Sequence, residues 1–206
     1  GAEEIGPALH GERADEAAVD GLRQRFLAFA LEVNKDLDRC GFPLCKGNIM
    51  ASNPQWCLSL DEWKEQFSQW IRVPQPEALL NATIFFDFRT LFGKAELAEA
   101  MRRHLLMQTS SNPMFLRCMA QNALDVEPPL GKIRDFLTDL EPDHPGKIDL
   151  KKYGSRIFVD VARIYALATG VHNTNSVQRL RLASKRLSIR DEEINAVLEG
   201  LDFIQL

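Results

Sequence analysis

The sequence predicts a mainly α-helical fold, a bundle of about seven helices. Three observations carry that expectation. Apolar residues recur at three- and four-residue spacing along most of the chain. Serine and asparagine stand where helices would start, and glycine or proline where they would stop. A chain of 206 residues with 45% apolar content can also bury a sizeable core. Two short β elements are accommodated beside the helices: a hairpin near 131–150 and a lone strand near 44–51. The stretch 46–92 holds all three tryptophans (Trp56, Trp63, Trp70) together with Phe67, Phe85, Phe86, Phe88 and Phe92. Aromatic side chains bury the most apolar area per residue, so this stretch is expected to nucleate the core.

Taken in order, residues 1–12 are polar and predicted to be poorly ordered. Leu22, Phe26, Phe29, Val33 and Leu37 give helical spacing over 14–40, ended by Gly41 with Pro43 beyond. After the Asn53-Pro54 turn, Ser59 and Glu62 form a capping box that opens a helix to Arg72. Pro76 then starts a helix expected to run to about Leu91 and to be central and buried, because it is apolar nearly all round. Helices follow over 95–109 and 113–124, the second capped by Asn112 with Pro113 as its first residue. Beyond the turn-rich 131–150 stretch come helices from Tyr153 to a Gly170 cap, from Asn175 or Ser176 to Leu187, and from a Ser188–Asp191 box to the end. Gly1 reads as a cloning remnant, and the still-apolar end (Leu201, Phe203, Ile204) suggests continuation.

Composition excludes several classes. No apolar run approaches the roughly 20 residues of a membrane span, and no signal peptide opens the chain. Four cysteines without a CxxC pair and four scattered histidines argue against structural zinc and for reduced thiols in the cytoplasm. Net charge is −4, but its distribution is uneven. Between 151 and 190 there are nine basic residues and one acid, Asp160, whereas residues 1–100 carry ten basic and sixteen acidic side chains. Either the two halves neutralise one another or are simply solvated, or the basic region faces phosphate. Nucleic acid is not expected, since few aromatics interleave the basic run.

Asp87 lies within Ile84-Phe85-Phe86-Asp87-Phe88 on the expected buried helix. An unpaired carboxylate there would be costly. Arg89, two residues on, would point elsewhere, so the partner is expected from another helix, Arg156 or Arg163. A buried register-fixing salt bridge, a ligand pocket and an exposed helix end all remain open for Asp87. Further on, Lys152, Arg156, Asp160 and Arg163 would share one helix face, with Lys151 beside them. That face is either solvated, with incidental ion pairs, or a binding face. Gly47, Asn53, Pro54 and Trp56 mark a turn that Trp56 could anchor by packing.

Two of these stretches carry a resemblance. Gly47, Met50, Asn53, Pro54 and Trp56 follow a CxGxxMAxNPxW pattern, and IDLKKYGSRIFVDVAR resembles a DLK…G…PIVD.AR motif. Both resemble a bacterial family of nucleotidyltransferases related to PII-protein uridylyltransferase, over roughly residue 26 to the end. Ser155 precedes the arginine, and Ile-Phe-Val-Asp replaces Pro-Ile-Val-Asp. The resemblance implies that residues 1–52 are the tail of a catalytic domain and 53–206 a helical substrate-binding domain that closes over a nucleoside triphosphate and its Mg2+. It implies that Lys151, Lys152, Arg156, Asp160 and Arg163 line or brace that cleft, with Asp87 and Arg89 as further candidates. Implied partners are the catalytic domain, upstream CBS or cyclic-nucleotide-binding modules, and a protein acceptor. No Gly-Ser turn followed by paired aspartates is present, so this chain by itself is not expected to catalyse transfer. The competing reading is a non-catalytic regulatory module whose basic face docks an acidic protein, with dimerisation through the end of the last helix.

Overall fold

The computed structural model describes residues 16–125 and 146–205. Their eight α-helices are α1 (Glu16–Arg39), α2 (Leu60–Arg72), α3 (Pro76–Phe85), α4 (Ala95–Ser110), α5 (Pro113–Leu124), α6 (Arg156–Thr169), α7 (Ser176–Leu187) and α8 (Asp191–Gln205). A 3-10 turn (Pro54–Trp56) precedes α2, and a π-helical turn (Lys151–Ser155) runs into α6. The mainly helical expectation holds, and none of the described residues is in a strand. No helix among them is long and apolar enough to cross a membrane.

Three expectations need correction. The lone strand near 44–51 is a pair of turns, with Asn48 in the left-handed region at φ 54; a single strand with no neighbour cannot pair its backbone. The helix from Pro76 stops at Phe85 rather than near Leu91. Nor is it buried all round: Ala78, Leu79, Asn81 and Ala82 are buried, while Leu80 and Ile84 are exposed. Ser188 does not begin α8 but closes α7, as a left-handed cap at φ 55. The hairpin near 131–150 lies outside the described residues as far as 145, and 146–149 form a turn and coil.

The chain divides into two compact units, Gly1–Ser68 with Phe88–Met101, and Gln69–Asp87 with Arg102–Leu206. In the first unit an aromatic ladder does the packing. Trp56 stacks on Trp63 at 6.1 Å with 13° between planes, and Trp63 meets Phe67 edge-on at 5.7 Å. Phe67 in turn contacts Phe88 at 6.1 Å. Asn53 sets up the turn before Trp56: its side-chain oxygen accepts from the Gln55 N–H, and its amide donates to the Asn48 carbonyl at 3.0 Å. The capping box forms as the sequence predicts, with the Ser59 N–H donating to Glu62 at 2.7 Å and the Glu62 N–H to the Ser59 hydroxyl at 3.3 Å. Arg23 of α1 reaches across to the Cys57 carbonyl (2.6 Å) and to Glu62 (2.8 Å).

In the second unit Trp70 packs on Phe85 and Phe86, and Phe86 on Phe115. The capping asparagine of α5, Asn112, accepts from the Phe115 N–H and donates to the Ile71 carbonyl, so one side chain starts α5 and anchors the end of α2. Small residues let α6 and α7 approach closely: Ala162, Ala166 and Ala183 are buried there beside Leu180 and Val171. Ile194 and Leu198 of α8 complete that core. Two glycines set how near α8 comes. A Cβ on Gly154 would meet Ile204 at 3.3 Å, and one on Gly200 would meet Phe158 at 3.1 Å, tighter than ordinary van der Waals contact.

Two outcomes follow from the α1–α2 corner. Burial pushes the Glu62 carboxyl up, but the Ser59 N–H, the Arg23 guanidinium and the Ser59 hydroxyl outweigh it and leave it below the usual carboxylate range. A lowered folded-state value gives stability that is present above the unfolded value and lost as pH falls through the folded one. Urea midpoints should therefore drop on acidification below about pH 4.5, with a shallower drop in Glu62→Gln. Burial also raises the Cys57 thiol, which Arg23 lowers in part and Glu62 raises further. Timed alkylation at neutral pH should label exposed Cys40 and Cys45 well before Cys57.

Candidate functional site

The helix that ends at Phe85 leaves Asp87 just beyond its last turn, where the chain is no longer bound to a helical path. There Asp87 meets two guanidinium groups. One carboxylate oxygen accepts from Arg163 twice, at 2.9 Å from Nε and 2.7 Å from Nη2. The other lies 2.5 Å from Nη1 of Arg179. That second contact is an ion pair by distance without hydrogen-bond alignment, and both of its atoms are buried with no other hydrogen-bond partner.

From Arg163 the network continues along α6. Its Nη1 donates to Asp160 at 2.6 Å, and Asp160 lies 3.5 Å from Arg156 Nε on its other side. Arg163, Arg179 and Asp160 are buried, with side chains 7%, 3% and 9% exposed, whereas Arg156 is 44% exposed. Arg179 also donates to the Asn173 carbonyl at 2.6 Å, which ties the α6–α7 loop to the cluster. Three guanidiniums face two carboxylates, so the network carries one positive charge in excess. That excess emerges at Arg156, its exposed end.

The residues before α6 add to the basic rim. Asp149 caps this start: its carboxylate accepts from the Lys151 and Lys152 N–H groups, both at 2.9 Å. Lys151 is exposed, and the Lys152 ammonium stands 4.8 Å from the Tyr153 ring centre. The turn here is π-helical, with the Arg156 N–H bonded back to the Lys151 carbonyl. A wider turn changes the angular step per residue. The four-four-three spacing of Lys152, Arg156, Asp160 and Arg163 is therefore interrupted before Arg156, and only the last three follow one α-helical face.

The structure thus joins Asp87, Arg156, Asp160 and Arg163 into one ion-pair chain, with Arg163 as the partner of Asp87 from another helix. Arg89 is exposed and falls in the other compact unit, as do Gly47, Asn53, Pro54 and Trp56. Trp56 is buried in the aromatic ladder, so that motif builds a packed turn. Arg179 was not singled out from the sequence, although a signal exists. It stands one helical turn before buried Ala183, a cation on the apolar side of α7. Among the described residues no three His, Cys, Asp or Glu side chains come together as a metal-binding group.

Two aspartates held among arginines behind a basic rim define a helical unit that offers positive charge on a braced frame. Comparison with known families gives the class of protein to which the chain belongs. Residues 13–77 match the family described as a putative nucleotidyltransferase, and residues 113–206 match the one described as a putative nucleotidyltransferase substrate binding domain. The chain belongs to this putative nucleotidyltransferase family. No curated protein and no solved structure gives a significant match. Arg156, Asp160, Arg163 and Arg179 fall within the substrate-binding match, and Asp87 lies between the two matched segments.

Removing one member of a buried ion-pair set leaves the others uncompensated. Asp87→Asn should lower unfolding free energy by about 2–4 kcal/mol in urea titrations, a range discounted for its partial exposure. Arg89→Ala, at an exposed position, should change it by less than about 0.5 kcal/mol.

Proposed function

We propose that the second unit is the substrate-binding part of a nucleotidyltransferase and takes the phosphates of a nucleoside triphosphate on the rim formed by Lys151, Lys152 and Arg156. What supports this reading most is the chain of ion pairs running from Asp87 through Arg163 and Asp160 to Arg156, whose surplus positive charge surfaces beside two lysines. In this reading Asp87, Asp160, Arg163 and Arg179 are positioning residues. They hold α6, α7 and the end of α3 in one arrangement, so that Arg156 is aimed before a ligand arrives, and pre-aimed donors bind at lower entropic cost. Arg156 suits phosphate because its planar guanidinium can donate two parallel hydrogen bonds to phosphate oxygens.

A catalytic domain would present the triphosphate, and the helical unit would close over it. Among the described residues no three His, Cys, Asp or Glu side chains come together to hold the Mg2+ that accompanies such a ligand, so its protein ligands would come from the catalytic domain. The finer reading is a uridylyltransferase-like role in bacterial signalling, in the cytoplasm, with a protein acceptor and regulatory CBS modules alongside.

Isothermal calorimetry tests the proposal directly. ATP or UTP at low salt should bind with a dissociation constant on the order of 1 mM. Exposed charge contacts are screened by added salt, so the heat should fade as salt rises. Arg156→Ala and Lys151→Ala should each weaken binding several-fold without lowering the urea midpoint appreciably. An absence of heat with every nucleoside triphosphate at low salt overturns the reading.

A further inference from the structure

Helix α1 uses only one side to pack. Ala30 is buried and Leu27 half-buried, and on the same side Arg23 bonds the Cys57 carbonyl and Asn34 the Ser52 hydroxyl at 2.8 Å. At about 100° per residue, Phe29, Val33 and Leu37 occupy a neighbouring arc about 80° wide. They are left open, at 59%, 38% and 47% exposure. The helix end extends this stripe. Gly41 sits at φ 91, its N–H bonds the Asp38 carbonyl, and the Phe42 N–H returns to the Leu37 carbonyl at 3.0 Å. That pair of bonds is a Schellman cap, and it brings Phe42, 68% exposed, back beside the turn that carries Leu37.

We infer that this stripe of α1 is the seat of a second copy of the same chain, packed antiparallel across a two-fold axis. Area and charge both favour that occupant. The four side chains leave on the order of 400 Å2 of apolar surface open, within the roughly 300–600 Å2 of a typical monomer's largest patch, which is often functional. Two such faces would bury about 800 Å2, and with the flanking side chains the interface falls in the low-area class of weak, transient contacts. In the register that sets Phe29 opposite Val33 of the second copy, exposed Arg25 comes over Asp36 of that copy. The symmetry repeats the pair, because a two-fold interface uses each contact twice. Asp36 is held ready within its own helix by Arg39 at 2.8 Å.

Light scattering on the whole chain, from about 1 µM to about 200 µM, tests this, because that span covers dissociation constants of a weak interface. The mass should rise from one 23.3 kDa chain towards two. Val33→Asp should abolish the rise while circular dichroism keeps its helical signal. Arg25→Glu and Asp36→Arg should each weaken dimerisation several-fold, and the double swap should restore it, which a merely structural role for either residue would not produce. A monomer at every concentration overturns the inference. So does a dimer that Phe203→Asp dissociates and Val33→Asp does not, or a double swap that fails to rescue. Nucleotide binding by the second unit is read independently by calorimetry, so neither failure can be mistaken for the other.

Discussion

Asp87 accepts from Arg163 through one oxygen and abuts Arg179 through the other, so a single carboxylate ties the end of α3 to both α6 and α7. Much of the second unit depends on that arrangement. Arg163 and Arg179 are almost wholly removed from solvent, and a buried cation persists only where an opposite charge and hydrogen bonds compensate it. Asp160 and the Asn173 carbonyl supply the remaining partners. An apolar trio of similar shape could stabilise the helices equally well. It could not carry a surplus charge to the surface at a fixed place.

Several helix boundaries set by local chemistry were readable in the sequence, though Ser188, read as opening α8, closes α7. Ser59 with Glu62, Asn112 with Pro113, and Gly41 and Gly170 as left-handed caps act within a few residues of themselves, so spacing alone reveals them. The end of α3 was not readable in that way. Nothing in Phe86-Asp87-Phe88 forbids another helical turn. The chain leaves its helical path where Asp87 meets partners 76 residues away in α6 and farther still in α7, and a tertiary ion pair overrides local propensity. The same reasoning covers residues 44–51, whose mixed apolar and glycine content fits a strand but finds no second strand to pair with.

The candidate site divides along similar lines. That Asp87 would find its partner on another helix, Arg156 or Arg163, followed from charge balance on a buried element, even though the helical path assumed for Asp87 was too long. The structure selects Arg163. Arg179 did not stand out, because an arginine on a helix is ordinarily solvated and its apolar neighbours mark it only once α7 is docked. Sequence spacing also grouped Lys152 with the face of Arg156, Asp160 and Arg163, and that grouping overlooked the π turn.

That turn has a structural consequence of its own. A π turn accommodates one residue more than an α-helical turn, and here the wide turn 151–155 leads directly into α6. Its inner side is occupied by Gly154, pressed against Ile204 of α8. A side chain added at 154 would therefore push Ile204, and α8 with it, away from the head of α6 where Lys151 and Lys152 stand.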